Sequence, residues 1–424
     1  MKYTKNITCQ RLMALVGHLY GSKSFLVIFV FFASFITSLS YVHLYPLRDY
    51  DLDSEQLVVN MLELPSHHEC KGHLIIGDRS DRVAKTLNLV PWMRDWIATN
   101  KPIPYGKQFG LYGYMLSKVQ NLTSYSSRTL VIIGQCLASV LHAFVFSIIA
   151  LCVWNSLDRK GAWIFCIMAL FYPGIWRWSY SLYWPSASSL AIIAWCWFFP
   201  IRKWRFYLSG AFVLFLIRFL GGYEYISCVS LGAVSSLYGN SIISKCNIKL
   251  ITVIQLFVIS VLAFVIAVTF SMLHLMSLGA SYYDALQFLI APLKCRTFGM
   301  ADVSQNKPII ASLANMVSAL LQNGTGLVLF IASVVLGSKS FRRLFADVME
   351  YKKFVLWFVF SLVASLSWNI FGYGHAKQHP HLCNVIYLQP AIWVCFYLIA
   401  KFYGNVLSDT NLVNHNDNGN DNSR

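Results

Sequence analysis

Long apolar stretches alternate with short polar ones along most of the chain, which is the pattern of membrane-spanning helices. A helix needs roughly 20 apolar residues to cross a bilayer, with a range of about 17–25. Ten stretches approach that length, namely residues 25–42, 129–154, 161–176, 180–199, 206–222, 223–238, 250–278, 309–336, 354–371 and 384–403. The fifth and sixth are short and meet at Gly222, so one broken span is an alternative to two. The pattern predicts an all-α polytopic membrane protein with about ten transmembrane helices.

The distribution of basic residues favours two separate spans in this region. Cytoplasmic loops of membrane proteins are enriched in Lys and Arg. With ten spans and the N-terminus inside, the inside segments hold 18 basic residues and the short outside loops hold 5. Merging the two short spans would place the five basic residues of 339–353 outside, against this rule. We therefore expect ten spans with both termini in the cytoplasm.

The chain then divides into three parts. Residues 1–24 form a basic cytoplasmic segment, and the first span is an uncleaved signal anchor because no small-residue cleavage site follows it. Residues 25–404 form the transmembrane domain, whose extracytoplasmic loop at 43–128 carries 9 of the 18 acidic residues. Since long loops in compact proteins are usually functional, we expect this loop to be partly helical and to hold the chemistry. Residues 405–424 are polar and of low complexity, which predicts a disordered cytoplasmic tail.

Composition excludes a soluble protein. The chain is 57% hydrophobic and 12% charged, whereas soluble domains carry about 25% charged residues. The net charge of +16 follows from the basic cytoplasmic loops. No basic stripe with interleaved aromatic residues lies outside the apolar stretches, so we expect membrane lipids and no nucleic acid among the partners. Most of the eleven cysteines lie inside apolar stretches, and none has zinc-type spacing.

Four carboxylates follow the first span closely: Asp49, Asp51, Asp53 and Glu55. Acids concentrated at a membrane surface can supply a general base or ligands for a divalent cation. We expect Asp53 and Asp51 to be the catalytic residues, and Asp53 foremost, because Ser54 and Glu55 indicate a helix start that would fix its side chain. In the alternative interpretation the cluster is a solvated loop, in which Asp53 or Ser54 caps the next helix. No other cofactor is indicated.

Further polar residues lie near the outer ends of the predicted spans. Arg218 lies inside the fifth span and Glu224 follows it. A charge within an apolar span is costly, so both residues are candidates to face a cavity under the large loop. The alternatives are a structural pair or an outward-pointing Arg. Lys107 and Gln108 lie on a turn of the loop punctuated by Pro and Gly, which could also be an ordinary interfacial loop.

Three cationic candidates lie between the last two spans. Lys377, His379 and His381 would share a side of the membrane with the acidic cluster. Such groups suit binding of a phosphate or pyrophosphate. The histidine spacing matches no defined zinc motif, and the alternative is a polar outer turn.

Several short blocks occur in a shared order. They are Asp51-Leu-Asp53 after the first span, Tyr105-Gly-Lys107-Gln108-Phe109-Gly110-Leu111 in the loop, Leu182-Tyr183-Trp184, Phe219-Leu-Gly-Gly-Tyr-Glu-Tyr-Ile226, and His379-Pro-His381-Leu-Cys-Asn384 with Tyr387-Leu-Gln-Pro390. Together with the large first loop, these blocks resemble the bacterial polytopic glycosyltransferases of the GT-C superfamily over roughly residues 45–400.

The resemblance implies a hexosyltransferase in the bacterial inner membrane. Such an enzyme takes a sugar from a polyprenyl-phosphate donor and passes it to a surface glycan or lipid-linked acceptor on the extracytoplasmic face, with an acid of the first loop as base. The substrate-binding residues would be Arg218, Glu224, Tyr223, Lys107, Gln108, Lys377, His379 and His381. One alternative is a polymerase or ligase acting on polyprenyl-diphosphate glycans, although its large loop tends to come later. A transporter is the other, with the polar residues 322–326 as its midplane break.

Overall fold

The computed structural model describes residues 20–44, 52–63, 74–77, 103–105, 108–183, 186–222, 224–298, 317–318, 320–321, 324–372, 387 and 390–417. Almost all of this part of the chain is helical. The helices are α1 Lys23–Leu44, α2 Leu52–Glu63, α3 Leu111–Leu122, α4 Ser127–Ser156, α5 Arg159–Phe171, α6 Pro173–Trp176, α7 Ser186–Phe198, α8 Trp204–Gly221, α9 Ile226–Ile243, α10 Leu250–Ser277, α11 Tyr282–Phe298, α12 Thr325–Gly337, α13 Lys339–Arg343, α14 Val348–Phe371 and α15 Ala391–Asp417.

One short antiparallel strand pair accompanies these helices. Strand β1, Ile75–Gly77, pairs with β2, Ile103–Pro104, so that Ile75 lies opposite Pro104. Both strands lie in the segment between α1 and α4, together with α2 and α3.

Six described helices are long and apolar enough to cross a membrane: α1, α4, α8, α9, α10 and α14. Three shorter helices, α7, α12 and the first part of α15, are also apolar. The surface of α10 shows the expected consequence, because Phe257, Val261 and Phe270 are about half exposed while Ala263 and Ala267 are buried. An apolar surface of this extent is unfavourable in water. The chain is therefore a helical membrane protein.

Hydrogen bonds between helices show that neighbours run in opposite directions. At the start of α1, Lys23 Nζ donates to Asn155 Oδ1 near the end of α4 (2.8 Å). At the start of α9, the Ser227 hydroxyl accepts from Ser367 near the end of α14 (3.0 Å). Small polar residues commonly join helices in membranes in this way.

The bundle therefore has two distinct ends. We call the end at which α1 finishes and α4 begins the loop end, since α2, α3 and the strand pair lie there. At the opposite end lie the connections 157–160, 199–203, 244–249 and 338–347. They hold nine Lys or Arg residues and two Asp residues, and we call this end the basic end.

The predicted spans differ from the observed helices mainly in length. The stretch at 161–176 is divided at Tyr172, because the following Pro173 disfavours a helical conformation for the residue before it and itself begins α6. Within the stretch at 180–199, helix α7 begins at Ser186. Helix α12 begins at Thr325, after Gly324 adopts a left-handed conformation with φ of 73°. The stretches at 206–222 and 223–238 form two separate helices of 18 residues each, and the total of ten spans stays a prediction.

The polar tail differs from its prediction as well. Helix α15 continues to Asp417, so residues 405–417 are helical where their composition predicted disorder. A helix that has already formed over a buried segment is extended at much lower cost than a new one is nucleated, which explains the difference.

Candidate functional site

The connection between α8 and α9 is tight and buried at the loop end. Helix α8 ends at Gly221 and α9 begins at Ile226. Tyr225 has a φ of 60°, a left-handed conformation that is uncommon for a bulky residue. Its ring packs against Trp368 of α14 with centroids 5.3 Å apart. Such strained residues persist only where the surroundings hold them, and they cluster at functional sites.

Arg218 holds this connection from within α8. The guanidinium Nε donates to Ser189 Oγ (2.9 Å), Nη2 donates to the carbonyl of Glu224 (2.9 Å), and Nη1 donates to the carbonyl of Gly222. Only 1% of the residue is exposed. The planar fork of Arg reaches several acceptors at fixed angles, which an ammonium group cannot do. In this structure Arg218 is therefore a positioning residue for the backbone at Gly222 and Glu224.

The Glu224 carboxylate meets two tyrosines from other parts of the chain. The Tyr183 hydroxyl lies 3.4 Å from Glu224 Oε1 and also 3.4 Å from the Tyr105 hydroxyl. The Tyr105 and Tyr183 rings pack edge to face, with centroids 6.4 Å apart. Glu224 is 8% exposed. A buried carboxylate needs nearby donors, so this contact joins the segment before α3 to the α8–α9 connection.

Gln108 lies against the same connection and is almost fully buried, at 1% exposure. Within the described part of the chain, neither its Nε2 nor its Oε1 has a hydrogen-bond partner. A Cβ placed on Gly222 would lie only 2.9 Å from Oε1, so glycine makes room for the amide. Leaving a buried polar group unpaired costs roughly 1–3 kcal/mol. An orphaned amide of this kind calls for an explanation, and a ligand that supplies the partner is one.

Tyr105 on one side of Gln108, and Phe109 and Gly110 on the other, are each held by contacts with other segments. Gly110 has a φ of 68°, and a Cβ there would lie 2.6 Å from Leu74 Cδ1, so both conformation and space require glycine. Phe109 packs against His274 of α10, with ring centroids 5.2 Å apart. Tyr105 donates its backbone N–H to the Leu74 carbonyl (2.6 Å). These contacts hold Gln108 over the α8–α9 connection.

Tyr112, on the first turn of α3, adds a phenol to this group. It hydrogen-bonds to Ser188 and lies near the Arg218 guanidinium. Burial raises the pKa of Tyr112 above its usual value, and the nearby Arg218 opposes part of that rise. The phenol therefore stays protonated at neutral pH and can donate a hydrogen bond. We call Arg218, Glu224, Gln108, Tyr112 and Tyr183 the Arg218 cluster.

The structure brings three of the sequence-predicted site residues together: Arg218, Glu224 and Gln108. Asp53 is the second residue of α2, and its side chain lies outside the described part. The remaining predicted residues, Asp51, Tyr223, Lys107, Lys377, His379 and His381, also lie outside the described residues. Among the described residues no group of three or more His, Cys, Asp or Glu side chains could hold a metal ion.

The alternative interpretation of the acidic cluster, a helix cap at Asp53 or Ser54, is wrong in position. Helix α2 begins at Leu52, so Asp53 and Ser54 lie in its first turn and neither is the N-cap. Acidic residues are favoured there because the free N–H groups and the helix dipole attract negative charge.

Sequence reasoning missed three residues around the Arg218 cluster. Ser189 accepts from Arg218, Tyr112 lies beside it, and His274 packs on the segment that carries Gln108. Three serines among the four residues 186–189, inside an apolar stretch, were the available signal for the first. The positions of the other two depend on helix packing, which no local pattern indicates.

Comparison with known proteins does not assign the chain to a family. No protein-family model, curated protein or solved structure matches it.

Proposed function

We propose that the chain is a membrane glycosyltransferase of hexosyltransferase type. It would move a sugar from a polyprenyl-phosphate donor to a surface glycan or lipid-linked acceptor on the extracytoplasmic face of a bacterial inner membrane. The observation that carries the proposal is the Arg218 cluster, in which a buried amide without a partner lies beside buried phenols and a carboxylate. An amide both donates and accepts hydrogen bonds, as a sugar hydroxyl does.

The reaction needs few groups. The acceptor oxygen attacks the anomeric carbon, the bond from that carbon to the phosphate oxygen breaks, and the hydroxyl proton passes to a carboxylate. Polyprenyl phosphate leaves as a stabilised anion, so no strong general acid is required. We assign the base to Asp53 or Asp51, because both follow α1 directly at the loop end. If the two acids instead hold a divalent cation, the cation would take part in neutralising the phosphate.

Positive charge must stabilise the leaving phosphate. The donor groups of Arg218 already bond to Ser189, Gly222 and Glu224. This residue therefore contributes its positive electrostatic potential and holds the backbone of the site in place. We therefore assign direct contact with the phosphate to Lys107 and to the turn that carries Lys377, His379 and His381. Gln108, Tyr223 and Glu224 would contact the sugar.

The proposed orientation places the loop end on the extracytoplasmic side of the membrane. The basic end carries nine Lys or Arg residues in its four connections, which supports a cytoplasmic location for it. Ten spans with both termini inside are part of this proposal.

Two other classes remain as alternatives. A polymerase or ligase would use a polyprenyl-diphosphate glycan at the same end of the bundle. For a transporter, the supporting observation is the left-handed Gly324 before α12, but the Thr325 hydroxyl that follows it is already hydrogen-bonded to Tyr172 (2.6 Å).

Reconstitution separates these classes. The purified full chain in proteoliposomes would be given short-chain polyprenyl-phosphate sugars or polyprenyl-diphosphate oligosaccharides, each with a lipid-linked acceptor extract. The proposal expects polyprenyl monophosphate to be released as the sugar label moves to the acceptor. Turnover of the diphosphate donors alone would identify a polymerase or ligase. Label that crosses the membrane without transfer would identify a transporter.

A further inference from the structure

A groove of about 680 Å³ opens at the basic end, between α9, the start of α10 and the first half of α14. This volume lies within the range of about 300–1,000 Å³ that is usual for ligand sites. The groove is on the opposite side of the bundle from the Arg218 cluster. Its lining is therefore independent of the proposed catalytic residues.

The lining changes from charged to apolar with depth. Its rim carries four charged residues, namely Lys245, Asp347, Glu350 and Lys353. Its apolar part includes Val234 and Phe360, which lie in the middle of α9 and α14. Phe360 lies ten residues after Glu350 on α14, which corresponds to about 15 Å along the helix axis. Charged side chains at the basic end together with apolar side chains about 15 Å further along the helix fit an amphiphile better than a small soluble ion.

The rim carries both positively and negatively charged side chains, which limits the kinds of lipid head group that it can bind. The lysine ammonium groups of Lys245 and Lys353 suit a phosphate, and the carboxylates of Asp347 and Glu350 suit a cation. Part of Asp347 is already engaged, because Oδ1 accepts from the backbone N–H of Met349 (2.9 Å). A phosphoethanolamine head group carries one phosphate and one primary ammonium, so it complements both halves of the rim.

We propose that this groove binds one phospholipid with a phosphoethanolamine head group. The phosphate would lie at Lys245 and Lys353, the ammonium would lie at Glu350 and Asp347, and an acyl chain would follow α9 and α14 towards Phe360. The site would take its lipid from the leaflet at the basic end.

Native mass spectrometry of the purified chain in detergent would test the proposal. The probes are dioleoyl phosphatidylethanolamine, phosphatidylcholine and phosphatidylglycerol, each added alone at matched concentration. We expect one retained phosphatidylethanolamine, bound about tenfold more tightly than either other lipid, since only its head group both carries the phosphate and donates from an ammonium. Preferential retention of phosphatidylglycerol would overturn the proposal, because the groove would then recognise negative charge alone.

Matched variants locate the lipid. Lys353→Ala should weaken retention about tenfold, whereas Lys352→Ala, its exposed neighbour outside the lining, should leave retention unchanged. Val234→Phe should fill the groove and reduce retention of all three lipids. Thermal unfolding and size-exclusion profiles would confirm that each variant is folded. If Lys353→Ala does not fold, Lys245→Ala provides a second rim variant. Equal effects of Lys352→Ala and Lys353→Ala, or displacement by millimolar inorganic phosphate, would contradict the assignment.

Discussion

At the scale of single residues, Gln108 separates function from stability most clearly. Replacing a buried, unpaired amide by an apolar group of similar shape can be neutral or stabilising. Gln108→Leu should therefore leave thermal unfolding unchanged or raise its midpoint, while transfer falls about tenfold or more because a hydrogen bond to the sugar is lost. The measurements are the transfer rate in proteoliposomes and the unfolding midpoint in detergent.

A half-buried glutamine whose amide nitrogen is already paired provides the control. Gln120 Nε2 donates to the Leu62 carbonyl (2.8 Å) and lies outside the Arg218 cluster. Gln120→Leu should lower the free energy of unfolding by about 1 kcal/mol without changing the transfer rate of the folded protein. If both glutamine variants lose stability and keep activity, Gln108 has only a structural role.

Arg218 tests whether geometry or charge matters in the cluster. Arg218→Lys keeps the charge but cannot reach Ser189, Gly222 and Glu224 at once. We expect most of the transfer activity to be lost while the protein still accumulates in the membrane, with a decrease of about 1–3 kcal/mol in the free energy of unfolding. Arg205→Lys, at the other end of the same helix, is the control.

A more drastic change at the same position decides its role. If Arg218→Leu retained full activity, neither the positioning role nor the field of this residue would be needed. The positive charge at the site would then come from Lys107 or the histidine turn alone.

At the scale of elements, the α8–α9 connection and the segment before α3 should behave as one unit. Gly222→Ala would place a Cβ 2.9 Å from Gln108 Oε1. Overpacking of this kind typically costs about 1–3 kcal/mol. We expect a lower unfolding midpoint and reduced transfer, whereas Gly337→Ala, where nothing lies within 4 Å of the added Cβ, should cause neither.

A double variant shows whether the contact is direct. Gln108→Ala combined with Gly222→Ala should recover most of the lost stability, because the clashing atoms are gone, but should not recover transfer. Purely additive losses of stability in the double variant would show that the two segments are not coupled through this contact.

At the scale of the whole molecule, the arrangement of helices predicts which residues reagents can reach from outside. On a Cys-free background, an impermeant maleimide should label Tyr125→Cys in intact cells. Arg342→Cys should be labelled only after permeabilisation. Both positions are exposed in the structure, and they lie at opposite ends of the bundle. Labelling of residue 342 in intact cells would overturn the ten-span topology.

The sequence was most informative about the membrane helices and least informative about the site. Apolar stretches predicted the helical architecture, because a helix that satisfies its own backbone is required in lipid. Pro173 and the polar residues 322–326 mark places where helices can break, but the apolar pattern alone does not show that α5 ends at Phe171 or that α12 begins at Thr325. The charge of Arg218 inside an apolar span identified this residue as a site candidate, and Glu224 was a second candidate because it follows the same span. Their contacts with Ser189, Tyr183 and Gln108 depend on long-range packing, which a local pattern does not contain.

The most direct test of the proposed sugar transfer is the rate of Asp51→Asn and Asp53→Asn variants, made singly and together, in proteoliposomes with a polyprenyl-phosphate sugar. Loss of a general base typically costs about 10²–10⁴-fold in rate, whereas loss of a solvated carboxylate charge near a helix start costs only about 0.3–1 kcal/mol of stability. We expect transfer to fall at least about 100-fold with normal expression and unchanged donor binding, and Glu63→Gln, at the other end of α2, to keep its rate. Near wild-type transfer by the double variant would contradict the mechanism.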